Sequence, residues 1–251
     1  MDGRVAVVTG AGSGIGRQVA LRLAEQGAPV VGLVDRDRSS IEAVASLIEK
    51  SGARAVLAVG NVADRGDVER SVAEITAATG VAPTVLVNSA GNASSSSLEL
   101  LDEAEWTTTI GSHVTGTFHW SQVVLPGMID QGMGSIVNVA SIAGKRGGGF
   151  LGTTAYCAAK AAVIGLTKAM AKEAGPFGIR VNSVSPGVTM TPRVAGLVAD
   201  DRVWEACLAA VPLHRAADPS EISIMIGFLA SDAASFICGE NLNIDGGVMM
   251  E

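Results

Sequence analysis

Residues 5–16 of the chain have the sequence VAVVTGAGSGIG, in which a mostly β-branched run leads into a glycine-rich stretch. The run at residues 5–9 has no polar alternation, so it predicts a strand that is buried on both faces of a parallel sheet. Apolar residues then recur at helical spacing, namely Val19, Ala20, Leu23 and Ala24, and Gly27 ends that pattern. The opening of the chain therefore predicts a strand, a glycine-rich turn and a helix.

The same alternation continues along the rest of the chain. After a second strand pattern at residues 29–34, candidate strands follow at residues 54–59, 84–88, 135–140, 180–185 and 241–244. Candidate helices lie at residues 40–50, 64–79, 104–131, 154–174 and 220–230. This repetition predicts an α/β protein with a doubly wound parallel sheet, or Rossmann fold, in a single domain at residues 1–251. The segment at residues 189–212 interrupts the rhythm and predicts a substrate lid.

Composition and charge exclude several classes of protein. Hydrophobic residues make up 48% of the 251 residues and charged residues 17%, which is incompatible with a disordered, collagenous or coiled-coil chain. Lys and Arg number 18 and Asp and Glu 25, giving a net charge of −7, so nucleic acid is not an expected partner. The 3 cysteines form no CxxC or CxxH motif, and neither a metal site nor a disulfide framework is expected. With no basic leader and no long apolar run, the protein is expected to be soluble and cytoplasmic, without a membrane partner.

The glycine-rich turn predicts a phosphate-binding site. Glycines at positions 10, 14 and 16 allow a sharp turn, a close approach of backbone N–H groups to a pyrophosphate, and tight packing of helix on strand. Asp35 ends the second strand, 19 residues beyond Gly16, where a carboxylate accepts hydrogen bonds from the adenosine ribose and repels a 2′-phosphate. The expected cofactor is therefore NAD(H) rather than NADP(H). Arg36 and Arg38 are either ordinary solvated charges or groups that bind a 2′-phosphate.

Three polar side chains indicate a catalytic group next to this site. Tyr156 is the only tyrosine, and Lys160 lies four residues later on a predicted helix, so the two side chains share one face. An ammonium beside a phenol lowers the phenol pKa from about 10 toward neutrality, which makes Tyr156 a candidate general acid/base. Ser141 follows a buried strand at the carboxyl edge of the sheet, where its hydroxyl could polarise a carbonyl oxygen.

These motifs together resemble the short-chain dehydrogenase/reductase family, in its short single-domain branch. The resemblance runs from residue 4 to residue 247 and includes TGAGSGIG at residues 9–16, NSAG at 88–91, PG at 186–187 and DGG at 245–247. It implies that Tyr156 exchanges a proton with the substrate oxygen while hydride moves to or from the nicotinamide. It also implies that Ser141 holds that oxygen and that Lys160 binds the nicotinamide ribose. Members of the family are usually homotetramers or dimers, so a homo-oligomer is expected.

The resemblance further implies which residues bind the cofactor. Backbone groups of Val188, together with Thr191, would face the nicotinamide carboxamide and the pyrophosphate. The predicted cofactor-binding set is Gly10, Ser13, Gly14, Ile15, Gly16, Asp35, Asn61, Val62, Asn88, Ala90, Gly91, Tyr156, Lys160, Pro186, Gly187, Val188 and Thr191. The predicted catalytic set is Ser141, Tyr156, Lys160 and His113.

The chain departs from the family pattern at several positions. His113 stands where the family commonly has an asparagine that positions a water in a proton relay to the lysine. This histidine either continues the relay with its own pH dependence or is a packed helix histidine with the relay impaired. Ser89 stands in place of a second asparagine. Asn61 stands in place of an aspartate and still offers a carbonyl oxygen to the adenine amino group.

Candidate substrate-binding residues come from three segments. The connection from residue 141 to residue 156 contains Lys145, Arg146 and three consecutive glycines, so it is either a solvated loop or a flexible, basic loop over an anionic substrate. Residues near the predicted site by position are Asn92, Ala93, Ser94, Ile142 and Phe150. In the lid, Met190, Val194, Leu197 and Trp204 either form an apolar wall against the substrate or pack beneath the lid.

The sequence therefore predicts a NAD-dependent oxidoreductase that interconverts a secondary alcohol and a ketone, both small molecules, with Tyr156 as general acid/base. One alternative is an NADPH-type 3-ketoacyl reductase, which Asp35 disfavours because such enzymes usually use NADPH. A second is a NAD-binding regulator with lapsed catalysis, which His113 favours and the intact Ser141, Tyr156 and Lys160 oppose. A third, a fold that binds another adenosine cofactor for group transfer, gives no reason for the Tyr/Lys pair.

Overall fold

A parallel sheet forms the centre of the protein in a computed structural model, which describes residues 1, 3–148, 153–197 and 201–250. Its strands are Val5–Thr9 (β1), Val30–Asp35 (β2), Arg54–Val59 (β3), Val85–Asn88 (β4), Gly134–Val139 (β5), Ile179–Pro186 (β6) and Asn241–Ile244 (β7). Within the described residues the 7 strands pair in the order β3-β2-β1-β4-β5-β6-β7, and every pairing is parallel. The predicted α/β class and parallel sheet are confirmed.

Helices connect the strands on both faces of the sheet. They are Gly14–Glu25 (α1), Arg38–Lys50 (α2), Arg65–Thr79 (α3), Glu103–Ile110 (α4), Gly116–Gln131 (α5), Ala143–Arg146 (α6), Thr154–Ala174 (α7), Pro192–Leu197 (α8), Asp201–Ala209 (α9) and Pro219–Ala230 (α10). In β1, Ala6 and Val8 belong to the core cluster that includes residues of α1, α2 and α10. Val5 and Val7 belong to the cluster on the opposite face, with residues of α3, α5 and α7. The apolar run of β1 therefore fills two cores, and the sheet is doubly wound as predicted.

The strand order places the functional crevice. From β1 the chain moves outward through β2 and β3, and it then returns to the other side of β1 to continue through β4 to β7. The connections that follow β1 and β4 therefore run to opposite faces of the sheet. In open α/β sheets this reversal leaves a crevice at the carboxyl ends of the strands, where ligands bind.

The predicted helix at residues 104–131 is interrupted. A π-helical turn, Gly111–Thr115, separates α4 from α5 and carries His113. A Cβ at Gly116 would lie 2.7 Å from Cγ2 of Val62, so a glycine is needed where α5 begins against the loop after β3. A π-helical turn contains about one residue more than an α-helical turn. This single extra residue barely changes the 3.6-residue apolar pattern of residues 104–131, so the sequence predicts one continuous helix.

The connection after Ser141 is also more regular than predicted. Residues 143–146 form α6, which packs on α7. A Cβ at Gly144 would lie 2.5 Å from the backbone nitrogen of Ala161 and 2.6 Å from the backbone carbon of Lys160, so the two backbones touch. The prediction of a flexible loop is therefore wrong for residues 143–146. Residues 149–152, including Phe150, lie outside the described residues.

The segment at residues 189–212 has its own short helices, as the sequence predicts. Two hydrogen bonds tie its start to the chain before α10, because Met190 N donates to Ala217 O at 2.8 Å and Ala217 N donates to Val188 O at 2.9 Å. Residues 198–200 between α8 and α9 lie outside the described residues. None of the described helices combines the length and the low polarity that crossing a bilayer demands.

Candidate active site

A cavity of about 840 Å³ lies at the carboxyl edge of the sheet, among the residues that end or follow the strands. Its lining includes the whole predicted catalytic set, Ser141, Tyr156, Lys160 and His113. From the predicted cofactor set it includes Gly10, Ser13, Gly14, Ile15, Gly16, Asp35, Asn61, Val62, Ala90, Gly91, Pro186, Gly187, Val188 and Thr191 as well. Asn88 is the one member of these two sets that does not line the cavity. Motifs that are far apart in the sequence therefore meet in one crevice.

The glycine-rich turn is shaped to hold an anion. Gly10 and Gly14 have φ angles of +66° and +53°, in the left-handed region that favours glycine. A Cβ at Gly16 would lie 2.1 Å from the carbonyl oxygen of Gly10, so the start of α1 packs directly on the turn. Ser13, the N-cap of α1, makes no capping hydrogen bond with its side chain. By contrast, aspartates cap the helices α2, α3, α4 and α10.

The N-terminal backbone N–H groups of α1 therefore lie at the cavity without a capping side chain to accept their hydrogen bonds. A helix N-terminus of this kind attracts negative charge through its unpaired donors and its dipole. The observed turn thus fits the pyrophosphate of a dinucleotide.

Asp35 is held in place at the end of β2. Its Oδ2 accepts a hydrogen bond from Gly12 N at 3.0 Å and its Oδ1 accepts one from Arg36 N at 2.7 Å. Arg36 lines the cavity next to it. Arg38 forms an ion pair on its own helix, because its Nε donates to Glu42 Oε1 at 2.9 Å across one turn of α2. Of the two arginines that the sequence left open, only Arg36 is therefore close to where a 2′-phosphate would lie.

Asn61 and Val62 line the part of the cavity that follows β3. The side-chain oxygen of Asn61 accepts a hydrogen bond from Ala63 N at 3.1 Å, and Asn61 N donates to Asp67 Oδ2 at 2.8 Å. The loop is therefore fixed by its own hydrogen bonds. One lone pair of the amide oxygen remains for an adenine amino group.

Ser141, Tyr156 and Lys160 meet at the other end of the cavity, with Ser141 after β5 and the other two on the first turns of α7. The Lys160 ammonium is buried, donates from Nζ to the carbonyl oxygen of Val139 at 2.6 Å, and lies 5.7 Å from the centre of the Tyr156 ring. The Ser141 Oγ accepts a hydrogen bond from Ala143 N at 3.1 Å. The serine hydroxyl and the phenol are thus presented to the same part of the cavity by a strand end and a neighbouring helix.

Burial governs the ionisation of the Tyr/Lys pair. It raises the pKa of Tyr156 above 10.0, while a hydrogen bond from Ser141 and the charge of Arg193 act in the opposite direction. Burial, and after it the charge of Arg193, lower the pKa of Lys160 to about 7. The prediction that the lysine brings the phenol pKa toward neutrality is therefore wrong for the protein by itself. Both groups have lost water, which disfavours the charged form of each.

His113 lies against the phenol. Its ring and the Tyr156 ring meet edge to face, with centroids 5.4 Å apart. Its Nε2 lies 3.0 Å from the carbonyl oxygen of Asn92; because a carbonyl only accepts, Nε2 carries the proton. Nδ1 is then an acceptor, and it is buried without a hydrogen-bond partner among the described residues.

The environment of His113 keeps the ring neutral. Burial, then the nearby charges of Lys160 and Arg193, hold the pKa of His113 well below 6.5, against the opposing effect of the hydrogen bond to Asn92. This low pKa opposes the alternative in which His113 continues the relay with its own pH dependence near neutrality. The reason for the low pKa is that the π-helical turn buries the ring in the wall of the cavity, where protonation would create a buried charge beside another cation.

The side chain of Asn88 makes hydrogen bonds within the protein. It is buried below the cavity and donates to Asn138 Oδ1 at 2.9 Å and to Ser121 Oγ at 3.3 Å. Asn138 in turn donates to Thr167 Oγ1 at 2.9 Å, which links β4, β5 and α7. The side chain of Asn88 therefore serves contacts within the protein, and the place of Asn88 in the cofactor-binding set remains a prediction.

Arg193 is the residue of this site that the sequence did not reveal. It lies on α8, lines the cavity, and donates a hydrogen bond from its guanidinium to the carbonyl oxygen of Gly91. The only signal was its place two residues after Thr191, which does not distinguish it from a solvated lid arginine. Arg146 on α6 also lines the cavity.

The predicted pocket residues divide into two groups. Asn92, Ala93, Ser94, Ile142 and Val194 line the cavity, whereas Met190 and Trp204 are not part of its lining. The side chain of Leu197 lies outside the described residues. Cys207, Ala210, Val211 and Val248 also line the cavity and were not predicted. Part of the apolar wall therefore comes from α9 and from the end of the chain.

Comparisons with known proteins extend over nearly the whole chain. The family model described as enoyl-(acyl carrier protein) reductase matches residues 10–249. The chain is 38% identical over 250 residues to the 3-oxoacyl-[acyl-carrier-protein] reductase FabG of Vibrio harveyi, covering 100% of this chain and 99% of the relative. The identity to the protein of the same name from Thermotoga maritima is 37% over 250 residues, covering 100% of this chain and 99% of the relative.

Solved structures give the same result. The chain superposes on levodione reductase with a TM-score of 0.92 and 33% sequence identity, covering 98% of each chain. It superposes on 3-oxoacyl-[acyl-carrier protein] reductase from Brucella melitensis with a TM-score of 0.91 and 30% identity, covering 100% of this chain and 92% of that chain. The resemblance inferred from separate motifs is confirmed. The chain belongs to the short-chain dehydrogenase/reductase family of NAD(P)-dependent oxidoreductases that act on CH–OH groups.

Proposed function

We propose that this protein uses NAD(H) to interconvert a secondary alcohol and a ketone, with Tyr156 as general acid/base. The observation that carries the proposal is the convergence of Ser141, Tyr156 and Lys160 in the cavity that also contains the glycine-rich turn and Asp35. A protein that binds NAD without catalysis does not need the Ser141 hydroxyl, the Tyr156 phenol and the buried Lys160 amine at the same end of one cavity. This convergence is the main argument against the NAD-binding regulator.

Each of the three side chains has a task that its environment suits. A bound nicotinamide supplies or accepts the hydride. In ketone reduction Tyr156 donates its hydroxyl proton to the carbonyl oxygen, and in alcohol oxidation it accepts that proton back. The raised pKa of Tyr156 keeps the phenol protonated, which suits the reductive direction in particular. Ser141 donates a hydrogen bond to the same oxygen and stabilises the negative charge that develops there.

Lys160 and His113 continue the path of the proton. With a pKa of about 7, Lys160 gives up or takes a proton easily near neutral pH, and its Nζ is positioned by the Val139 carbonyl. We assign to His113 the relay position, as a neutral ring whose bare Nδ1 accepts a hydrogen bond from a water. His113→Asn should keep the turnover number within about threefold, and His113→Phe, which removes both ring nitrogens, should lower it at least about tenfold. Equal activity in the two variants would make His113 a packing residue.

Asp35 supports NAD(H) over NADP(H), because its fixed carboxylate lies at the end of β2 where the adenosine ribose would bind. The runner-up is an NADPH-dependent 3-ketoacyl reductase, which the names of the curated relatives favour. Purified protein supplied with a 3-oxoacyl thioester and either NADH or NADPH separates the two. Faster turnover with NADPH would establish the runner-up.

The remaining features are consistent with this assignment. The segment at residues 189–212 acts as a lid, because α8 and α9 bring Arg193, Val194 and Cys207 to the cavity. A homo-oligomer and a cytoplasmic location remain predictions from the sequence. Size-exclusion chromatography with light scattering measures the first directly.

The primary test is NADH formation from NAD⁺ with a panel of secondary alcohols, polyols and hydroxy acids, with Tyr156→Phe in parallel. Wild-type protein should turn over at least one member of the panel. Tyr156→Phe removes one hydroxyl and should lower kcat by at least about a hundredfold while NADH binding stays unchanged. Full activity in Tyr156→Phe would refute the mechanism. Loss of NADH binding would show instead that the variant is misfolded, which circular dichroism checks.

A further inference from the structure

The charges around the cavity are unlike those of the chain as a whole. The chain carries a net charge of −7. Among the described residues that line the cavity, four are basic and one is acidic: Arg36, Arg146, Lys160 and Arg193 against Asp35. Asp35 and Arg36 adjoin each other at the adenosine end. The catalytic end therefore has three basic side chains and, in the part of the chain described, no carboxylate.

Arg193 is connected to the proposed acid/base through Gly91 and His113. Its guanidinium donates to the carbonyl oxygen of Gly91. A Cβ on Gly91 would lie 2.0 Å from Cε1 of His113, and the His113 ring in turn packs against the Tyr156 ring at 5.4 Å. Arg193 is thus separated from the proposed acid/base by one glycine and one ring. Its charge acts on the ionisation of Tyr156, Lys160 and His113 alike.

The guanidinium of Arg193 lacks the carboxylate partner that several other arginines have. Arg215 forms two hydrogen bonds of 2.7 Å with the carboxylate of Glu221, and Arg65 donates to Glu69 at 2.7 Å. For Arg193, the described residues offer one carbonyl oxygen and no carboxylate. A guanidinium has five N–H donors in a planar fork that matches a carboxylate. Part of the side chain is exposed, yet burial lowers the pKa of Arg193, so its charge is only partly hydrated.

We propose that Arg193 binds a carboxylate of the substrate, so that the reaction interconverts a hydroxy acid and the corresponding oxo acid. The inference rests on the proposed function and names its substrate class. In this arrangement the reacting oxygen contacts Ser141 and Tyr156, and the carboxylate contacts Arg193. Short hydroxy acids, in which the two groups are a few bonds apart, are therefore the first substrates to test. Arg146, on the rim formed by α6, adds attraction for the same charge.

Two other uses of Arg193 make different predictions. The guanidinium could instead bind the cofactor pyrophosphate, in which case its removal weakens NADH binding. It could also only hold α8 against Gly91, in which case its removal affects every substrate equally. The α1 N-terminus already provides donors for the pyrophosphate, which favours the substrate over the cofactor as the source of the anion.

The test compares short 2- and 3-hydroxy acids with their methyl esters, which keep the carbon skeleton and the carbonyl of the acid, add one methyl group and remove the charge. Wild type, Arg193→Ala, Arg193→Lys and Arg202→Ala are assayed, the last as a control arginine on α9 outside the cavity lining. Arg193→Ala should lower kcat/KM for the acid by about 10- to 100-fold, the loss expected for a charge-assisted hydrogen bond. Activity on the ester should fall by a much smaller factor than activity on the acid, and Arg193→Lys should recover part of the loss on the acid. Thermal unfolding checks that each variant is folded.

A second readout needs no turnover. Titration of the protein–NADH complex with the oxo acid, followed by NADH fluorescence, should show saturable binding that Arg193→Ala weakens and Arg202→Ala does not. Wild-type turnover of neutral alcohols alone, or equal losses for acid and ester, would overturn the inference and leave the proposed function intact. A tenfold weaker affinity for NADH itself, with the acid-to-ester ratio unchanged, would assign Arg193 to the pyrophosphate. Absence of any turnover would refute the proposed function, and absence of oxo-acid binding would then refute this inference as well.

Discussion

Asp35→Asn keeps the shape of the side chain at the end of β2 and removes its charge. In the wild type, Gly12 N and Arg36 N donate to different oxygens of the carboxylate, at 3.0 Å and 2.7 Å. An asparagine has a single acceptor oxygen, so it keeps one of these two hydrogen bonds. The expected loss in the free energy of unfolding is about 1 kcal/mol, or roughly 2–4 °C in Tm for a chain of this size.

The effect on the cofactor is larger than the effect on the fold. A hydrogen bond from a ribose hydroxyl to a charged carboxylate contributes about 1.5–3 kcal/mol, so NADH binding should weaken about 10- to 100-fold. Repulsion between the carboxylate and a 2′-phosphate of charge about −2, at about 5 Å in a water-like dielectric, amounts to roughly 1.7 kcal/mol. Its removal should strengthen NADPH binding about 10- to 20-fold. The ratio of the two Kd values should therefore change by about two to three orders of magnitude in favour of NADPH.

Equilibrium fluorescence titration with NADH and NADPH measures both constants without a substrate. Arg36→Ala serves as the matched control, since it removes the adjacent cation and leaves Asp35 in place. If Arg36 assists a 2′-phosphate, the control weakens NADPH and leaves NADH unchanged. A wild-type preference for NADPH, or a Kd ratio that Asp35→Asn leaves unchanged, would refute the assignment of Asp35 as the residue that selects the cofactor.

Three further perturbations test the site and its support. Between pH 7 and about 10 the unfolded chain binds more protons at Lys160 than the folded protein, whose Lys160 has a pKa of about 7, so wild-type stability rises with pH there. At pH 7, urea unfolding should give Lys160→Met a higher free energy of unfolding than wild type, and this difference should shrink toward about pH 10. A difference that stays constant with pH would contradict the lowered pKa of Lys160. Asn138→Ala removes the hydrogen-bond partner of Asn88 and of Thr167, each at 2.9 Å. The free energy of unfolding in urea should fall by about 2–4 kcal/mol. A fall of less than about 1 kcal/mol would contradict the buried network. Gly91→Ala places a Cβ 2.0 Å from the His113 ring and should lower Tm by several degrees; adding His113→Ala should restore part of that Tm, and no restoration would refute the clash.

The parts of the site that the sequence predicts are those that depend on local pattern. A glycine-rich turn between a β-branched run and a helix, and a carboxylate at the end of the next strand, are fixed by backbone geometry, and both lie where the sequence places them. Tyr156 and Lys160 share a face because of their helical spacing. Their common position with Ser141 follows from the parallel sheet, which brings strand ends to one edge.

The parts that were missed depend on contacts between distant segments. The direction of the Asn88 side chain depends on Asn138 and Ser121, 50 and 33 residues away. The pKa of Tyr156 depends on how much water the whole fold excludes, which the adjacent lysine does not reveal. Arg193 reaches the site through a hydrogen bond to Gly91, 102 residues away.

The presence of one tyrosine makes the proposed acid/base directly visible by absorbance. A phenolate absorbs at longer ultraviolet wavelengths than a phenol, and in this chain every such change comes from position 156, since the sequence contains Tyr156 and no other tyrosine. A spectrophotometric pH titration of the unlabelled protein therefore follows the ionisation of a single group. The titration can be repeated with bound dinucleotide and with the Arg193 variants. The displacement of the Tyr156 titration curve along the pH axis would then give the electrostatic effect of each charge on the phenol.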